Sequence, residues 1–334
     1  MYIKNNTEIK IGVVPTHLKF SDCLIPNEVG NLPRTRSGNL KVTSGMHQLC
    51  RTSPVKIDIV QIPLFYGTNT NDIKDLFHGM NALKLEVQII IVLGEVDPID
   101  PNDEEMAIEI LNSLIKIAKK YQVKHISSTS FEKWLSGKKI KDQDLDKAIK
   151  QLIKLHIRCY KENNLENSNI EAWHLEFLRG IEFSNFTNAS KAGSVVMSIN
   201  EKINHNFFKV LIDAAHCGDS DLSILENKMV IKKLAENDAL GIFHASAKTT
   251  RGCFSTDDGW IGALLSTYAV TEKLKYAFVE IFHHEDPILE TLRDSIKGHG
   301  VDTTNGRTYN RVVIDGIVEL THRINNLANR NLIR

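Results

Sequence analysis

Lys209-Val-Leu-Ile-Asp-Ala-Ala-His216 is the stretch on which the fold reading turns. Val210 to Asp213 reads as a short strand that begins apolar and ends on an acid, and His216 follows three residues later, where the strand would give out. A buried parallel strand that presents an acid at its C-terminal end is where α/β enzymes place their chemistry. Taken singly, Asp213 is equally well a cap for the next helix and His216 an ordinary loop residue. The flanking sequence decides between these readings.

Outward from this stretch, apolar β-branched runs alternate with helical patterns along the whole chain. Strands are predicted over 9–14, 57–64, 87–93, 123–127, 171–178, 210–213, 239–244 and 276–281. Helical periodicity falls between them, over 69–83, from 103, and over 142–161, 188–202, 221–236 and 259–273; two further segments, 287–296 and 309–328, close the chain. Eight strands alternating with helices over 334 residues is the count of a single-domain (β/α)8 TIM barrel spanning 1–334. A doubly wound open sheet is the structural rival, but no GxGxxG follows the first strand. A long connection over 16–54 follows strand one, with a helix near 45–51 that the pattern does not delimit. Such a length points to a binding loop or lid over the barrel mouth. In that loop Arg34 and Arg36 could meet an anionic substrate bidentately.

Lys plus Arg and Asp plus Glu each number 41, so the chain lacks the bulk positive charge of a nucleic-acid binder. No apolar run approaches a membrane span, and the first ten residues lack a signal peptide's apolar core. Cys23, Cys50, Cys159, Cys217 and Cys253 are scattered, with no CxxC pair, so neither a disulfide framework nor a thiolate zinc site is expected. A reducing cytoplasm is the expected compartment; a homo-oligomer is left open.

If the strands line a barrel, their C-terminal ends meet on one face. Glu176, Asp213, His244 and Glu280 then come from strands five to eight. Three carboxylates and an imidazole make a mixed oxygen and nitrogen shell suited to Mn²⁺, Mg²⁺ or Co²⁺ and less to Zn²⁺. Without a cation between them, three carboxylates at close range would repel one another. His174 is expected to point away from the barrel axis, and His283 and His284 lie just past strand eight. Trp260 either walls the pocket or packs its own helix.

The chain resembles the xylose-isomerase-like TIM barrels, the superfamily of ketose 3-epimerases, hydroxypyruvate isomerase, inosose dehydratase and endonuclease IV. The matching pieces are Leu175-Glu-Phe-Leu-Arg-Gly-Ile-Glu182, Asp213-x-x-His216, His244 with Lys248 and Arg251-Gly252 after it, and Glu280. The resemblance implies a divalent metal, Mn²⁺ or Mg²⁺, held by Glu176, Asp213, His244 and Glu280. It implies substrate contacts from Glu182, His216, Lys248 and Arg251. Thr250 holds the place, six residues past His244, where the epimerases carry arginine; Arg251 follows it. The implied reaction is isomerisation or epimerisation of a ketose or related hydroxy-ketone through a cis-enediolate, with Glu176 and Glu280 moving the proton. The partner is then a small carbohydrate, with no nucleic acid and no membrane. The alternatives are a lyase of the inosose-dehydratase type, an endonuclease IV-like phosphodiesterase, which would need more histidines at the strand ends, and a non-catalytic barrel.

Overall fold

The computed structural model describes residues 2–15, 21–247, 254, 257–282, 290–295, 304 and 306–333. Eight strands form a closed, all-parallel barrel in sequence order: β1 Lys10–Val13, β2 Ile59–Phe65, β3 Glu86–Val92, β4 His125–Ser128, β5 Ala172–Glu176, β6 Phe208–Asp213, β7 Leu240–Ala245 and β8 Tyr276–Val279. Closure comes from β1 pairing with β8, Lys10 opposite Tyr276 and Val13 opposite Val279. All eight strand predictions fall on these elements, with ends shifted by a few residues.

The helices are α1 Lys41–Thr52, α2 Thr70–Ala82, α3 Glu104–Lys120, α4 Asp142–Glu162, α5 Ala189–Ile203, α6 Ala214–Gly218, α7 Ile224–Glu236, α8 Trp260–Ala269, α9 Glu290–Ser295 and α10 Tyr309–Asn329. Their starts follow side-chain chemistry. Asn69 accepts from the N–H of Asn71 at α2, Asn188 from that of Lys191 at α5, and Ser223 forms a capping box with Glu226 at α7. The helix expected near 45–51 in the long connection after β1 is α1, which begins four residues earlier, at Lys41.

Each strand is buried on both faces, so its two residue sets face different cores. The outer set packs under the helices in one large apolar cluster that includes Trp173, Leu175, Val210 and Ile212. The inner set fills the bore, where Ile59, Ile90, Leu211, Ile242 and Phe278 form a separate cluster with Val14. Gly12 belongs to this bore: a β-carbon there would lie 2.4 Å from the Ile59 carbonyl oxygen and 2.9 Å from the Phe278 ring. Trp260 lies in the outer cluster, so it packs its helix.

The His174 expectation is overturned. Being two residues from Glu176, it shares that residue's face. Its Nε2 lies 3.3 Å from His125 Nδ1, and the His125 ring sits 4.8 Å from the ring of Tyr276. Contact between β4 and β8, on opposite sides of an eight-stranded barrel, is made only across the bore.

Arg34 is likewise reassigned. Its guanidinium pairs with Asp72 and with Asp75 of α2 and donates to the Gly38 carbonyl oxygen. Asp72 is buried and also accepts from the N–H of Leu32, so this cluster ties the loop to α2. Neither Arg34 nor Arg36 lines the cavity at the barrel mouth.

Candidate active site

Four strand ends converge as the sequence reading requires. Glu176 closes β5, Asp213 closes β6, His244 is next to last in β7, and Glu280 follows the last residue of β8. All four are buried, and one ligand atom from each lies within 4.8 Å of all the others. His244 Nδ1 is 2.9 Å from Glu280 Oε2, 3.9 Å from Asp213 Oδ2 and 4.0 Å from Glu176 Oε1.

Asp213 serves both readings that the sequence allowed. Oδ1 accepts from the N–H of His216 at 2.9 Å and so caps α6, while Oδ2 faces the cluster. His216 therefore sits in a helix rather than a loop, with no exposed surface. Its Nε2 is 3.4 Å from Glu176 Oε1 and its Nδ1 is 4.0 Å from Glu182 Oε2, so the ring stands between the two glutamates.

Glu182 is held from two further sides. Arg179 Nε donates to its Oε2 at 2.9 Å, and the Trp134 indole N–H donates to its Oε1 at 3.2 Å. Arg179 also reaches Asp219, at 3.0 Å. The segment carrying Glu182 is fixed by buried Glu132, whose carboxylate accepts from the backbone N–H groups of Ser184, Asn185 and Phe186. Lys248 and Arg251, together with Thr250, His283 and His284, lie outside the described residues.

A cavity of about 260 Å³ opens over the cluster. Glu95, Glu132, Glu176, Glu182 and Glu280 line it together with the apolar Pro63, Phe65, Ile90, Val92 and Leu93. Among the described residues no lysine or arginine lines it.

The donor set is compatible with a divalent cation. His244 Nε2 lies 2.7 Å from Gln61 Oε1, and an amide oxygen only accepts, so Nε2 carries the ring proton. In the neutral ring Nδ1 is then a bare lone pair turned toward three carboxylates. A lone pair and a carboxylate oxygen at 2.9 Å repel unless a cation or a proton lies between them. Carboxylate oxygen with one imidazole is the donor chemistry of Mn²⁺, Mg²⁺ or Co²⁺. Burial, and next the charge of Asp213, push the Cys217 thiol well above the usual range, and Cys217 is not among the four residues whose ligand atoms converge.

Motif reading missed Gln61, Ser127, Glu132, Trp134 and Arg179. The one available signal was a polar residue inside an otherwise apolar strand, as in Ile59-Val-Gln-Ile62.

No protein-family model matches this sequence, and no curated protein does. Among solved structures the chain is similar to D-psicose 3-epimerase from Clostridium cellulolyticum H10, at 14% identity and a TM-score of 0.68 over 95% of this chain and 99% of that one. It is similar to D-allulose 3-epimerase from Methylomonas sp., at 12% identity and a TM-score of 0.69 over 97% and 100% of the two chains. An AP endonuclease, family 2, from Brucella melitensis shares the barrel at 10% identity and a TM-score of 0.60, over 82% of this chain and 93% of that one. The fold is therefore that of the barrels whose short motifs the sequence resembles. Epimerases and an AP endonuclease share it, so the chemistry rests on the site.

Proposed function

We propose that this chain is a divalent-metal-dependent isomerase or epimerase of a ketose or related hydroxy-ketone. Glu176, Asp213, His244 and Glu280 would hold the cation, which supplies Lewis-acid polarisation of the substrate carbonyl. The observation that carries the reading is that two members of this buried cluster, Glu176 and Glu280, also line the cavity at the barrel mouth. They come from the C-terminal ends of β5 and β8, three strands apart in the barrel. One carboxylate takes the proton from the carbon next to the carbonyl, leaving a planar cis-enediolate, and the other returns a proton. Return to the opposite face of the same carbon gives the epimer; return to the neighbouring carbon gives the isomer.

Glu182, His216 and Arg179 support this arrangement. His216 stands between Glu176 and Glu182, and Arg179 anchors Glu182, so the carboxylates are held before substrate arrives. A substrate hydroxyl can donate to Glu182. The similarity to D-psicose and D-allulose 3-epimerases favours the same reading.

The test is incubation with Mn²⁺ and a panel of ketoses, keto-acids and inososes in D₂O, with deuterium uptake and product followed by NMR. Exchange or product with a ketose is the expected result. Water loss from an inosose would assign the site to a lyase instead, and inertness toward the whole panel would overturn the reading.

A further inference from the structure

Beneath the four-residue cluster, the bore contains a buried polar pair that no motif requires. Gln61 sits in the middle of β2, and Ser127 in β4; both are fully buried. The Gln61 side-chain NH₂ donates to Ser127 Oγ at 2.9 Å, and its oxygen accepts from His244 Nε2 at 2.7 Å. The direction of this chain matters. A side-chain amide presents an acceptor at one end and a donor at the other, and the two ends impose opposite tautomers on a histidine. With the oxygen toward the ring, the proton is on Nε2 and the Nδ1 lone pair faces Glu176, Asp213 and Glu280. With the NH₂ toward the ring, the proton would move to Nδ1, and Nδ1–H would donate to Glu280 and close the imidazole against a cation.

We propose that Gln61, whose oxygen faces His244 Nε2 while its NH₂ donates to Ser127 Oγ, is a positioning residue that selects the ligand-competent tautomer of His244. This rests on reading the four residues as a metal shell. It adds to that reading which ring nitrogen binds and what keeps it bare. Outer partners of ligating histidines characteristically change metal affinity by about 10–100-fold when removed.

Isothermal titration with Mn²⁺, of wild type and of Gln61→Leu and Gln61→Glu, tests the proposal. Leu keeps the bulk and removes the acceptor; Glu keeps an acceptor. Gln61→Leu should lose about 10–100-fold in affinity, and Gln61→Glu should recover most of that loss. Long-range ¹H–¹⁵N spectra of the Zn²⁺-loaded wild type should show the His244 ring protonated at Nε2 and bare at Nδ1. Equal Mn²⁺ affinity of Gln61→Leu and wild type would overturn the proposal, as would an equal loss in both variants or a ring protonated at Nδ1. Should Gln61→Leu show no cooperative unfolding transition, Gln61→Met, which also replaces the strong acceptor, takes its place: it should weaken Mn²⁺ binding by about 10–100-fold, and unchanged affinity would overturn the proposal. These readouts are independent of turnover. Inertness toward every sugar would remove the proposed reaction and leave the tautomer result standing, whereas unchanged affinities would remove the role of Gln61 and leave the reaction standing.

Discussion

The two ends of the barrel bore carry similar residue types under opposite conditions. At the C-terminal end, Glu176, Asp213, His244 and Glu280 are drawn together, with Gln61 and Ser127 bonded beneath them. At the N-terminal end, His125 and His174 share one hydrogen bond, and His125 Nε2, His174 Nδ1 and both amide atoms of Gln88 have no hydrogen-bond partner among the described residues, although His125 Nε2 lies 3.8 Å from Glu171 Oε2. Burial pushes His125 down to about 4 and His174 well below the usual imidazole range. One end concentrates charge beneath an open cavity; the other keeps its imidazoles neutral at the cost of unsatisfied groups. Polarity inside a barrel is thus not by itself a functional signal. What separates the ends is whether the polar groups converge on a common point that a ligand can reach.

The largest effects should come from the C-terminal end. Glu176→Gln and Glu280→Gln should each lower kcat by about 10²–10⁴-fold, because an amide cannot accept the proton. Steady-state kinetics on whichever sugar is accepted reads this, and full activity in either variant would place proton transfer elsewhere.

At the N-terminal end the effect should be on stability. The folded-state values of His125 and His174 lie below the unfolded value of about 6.5, so protonation favours the unfolded chain. Their stabilising contribution is complete above that value and declines as pH falls from 6.5 toward 4. For His125 the difference amounts to about 3 kcal/mol at most. Denaturant unfolding at pH 7.5 and 4.5 should therefore show a smaller acid loss in His125→Leu than in wild type, and equal losses would refute the assignment.

Gly241 sets the limit of packing at this end. A β-carbon there would fall 2.5 Å from His174 Nδ1 and 2.6 Å from the Val210 carbonyl oxygen. Gly241→Ala should cost about 1–3 kcal/mol in the same assay, with Mn²⁺ binding retained by the folded fraction. The smallest effect is expected outside the bore. Arg34→Ala should cost about 1 kcal/mol and leave KM unchanged, because Arg34 is engaged with Asp72 and Asp75. A raised KM would return the loop to the binding site.

Strand ends were the readable part of this chain because each carries its own local evidence: an apolar run, then an acid or histidine. Val210 to Asp213 and the run before Glu280 announce both the strand and the ligand it presents. Partnerships made across sequence were not readable in this way. Gln61 reaches His244 over 183 residues, and no local pattern pairs them. Arg34 resembled an anion ligand until the fold brought α2 beside it. His174 was legible and misread, since residues two apart on a strand share a face. His216 was placed by its spacing from Asp213, but its position between Glu176 and Glu182 required the closed barrel.

Metal analysis is the most direct test of the central claim, that four strand ends form one cation site. Wild type, Asp213→Ala and His244→Ala would be dialysed side by side against Mn²⁺ and then against metal-free buffer, with folding checked by thermal unfolding. The account predicts about one equivalent of metal per wild-type chain and little in either folded variant. Equal metal content in all three proteins, or none in the wild type, would contradict it.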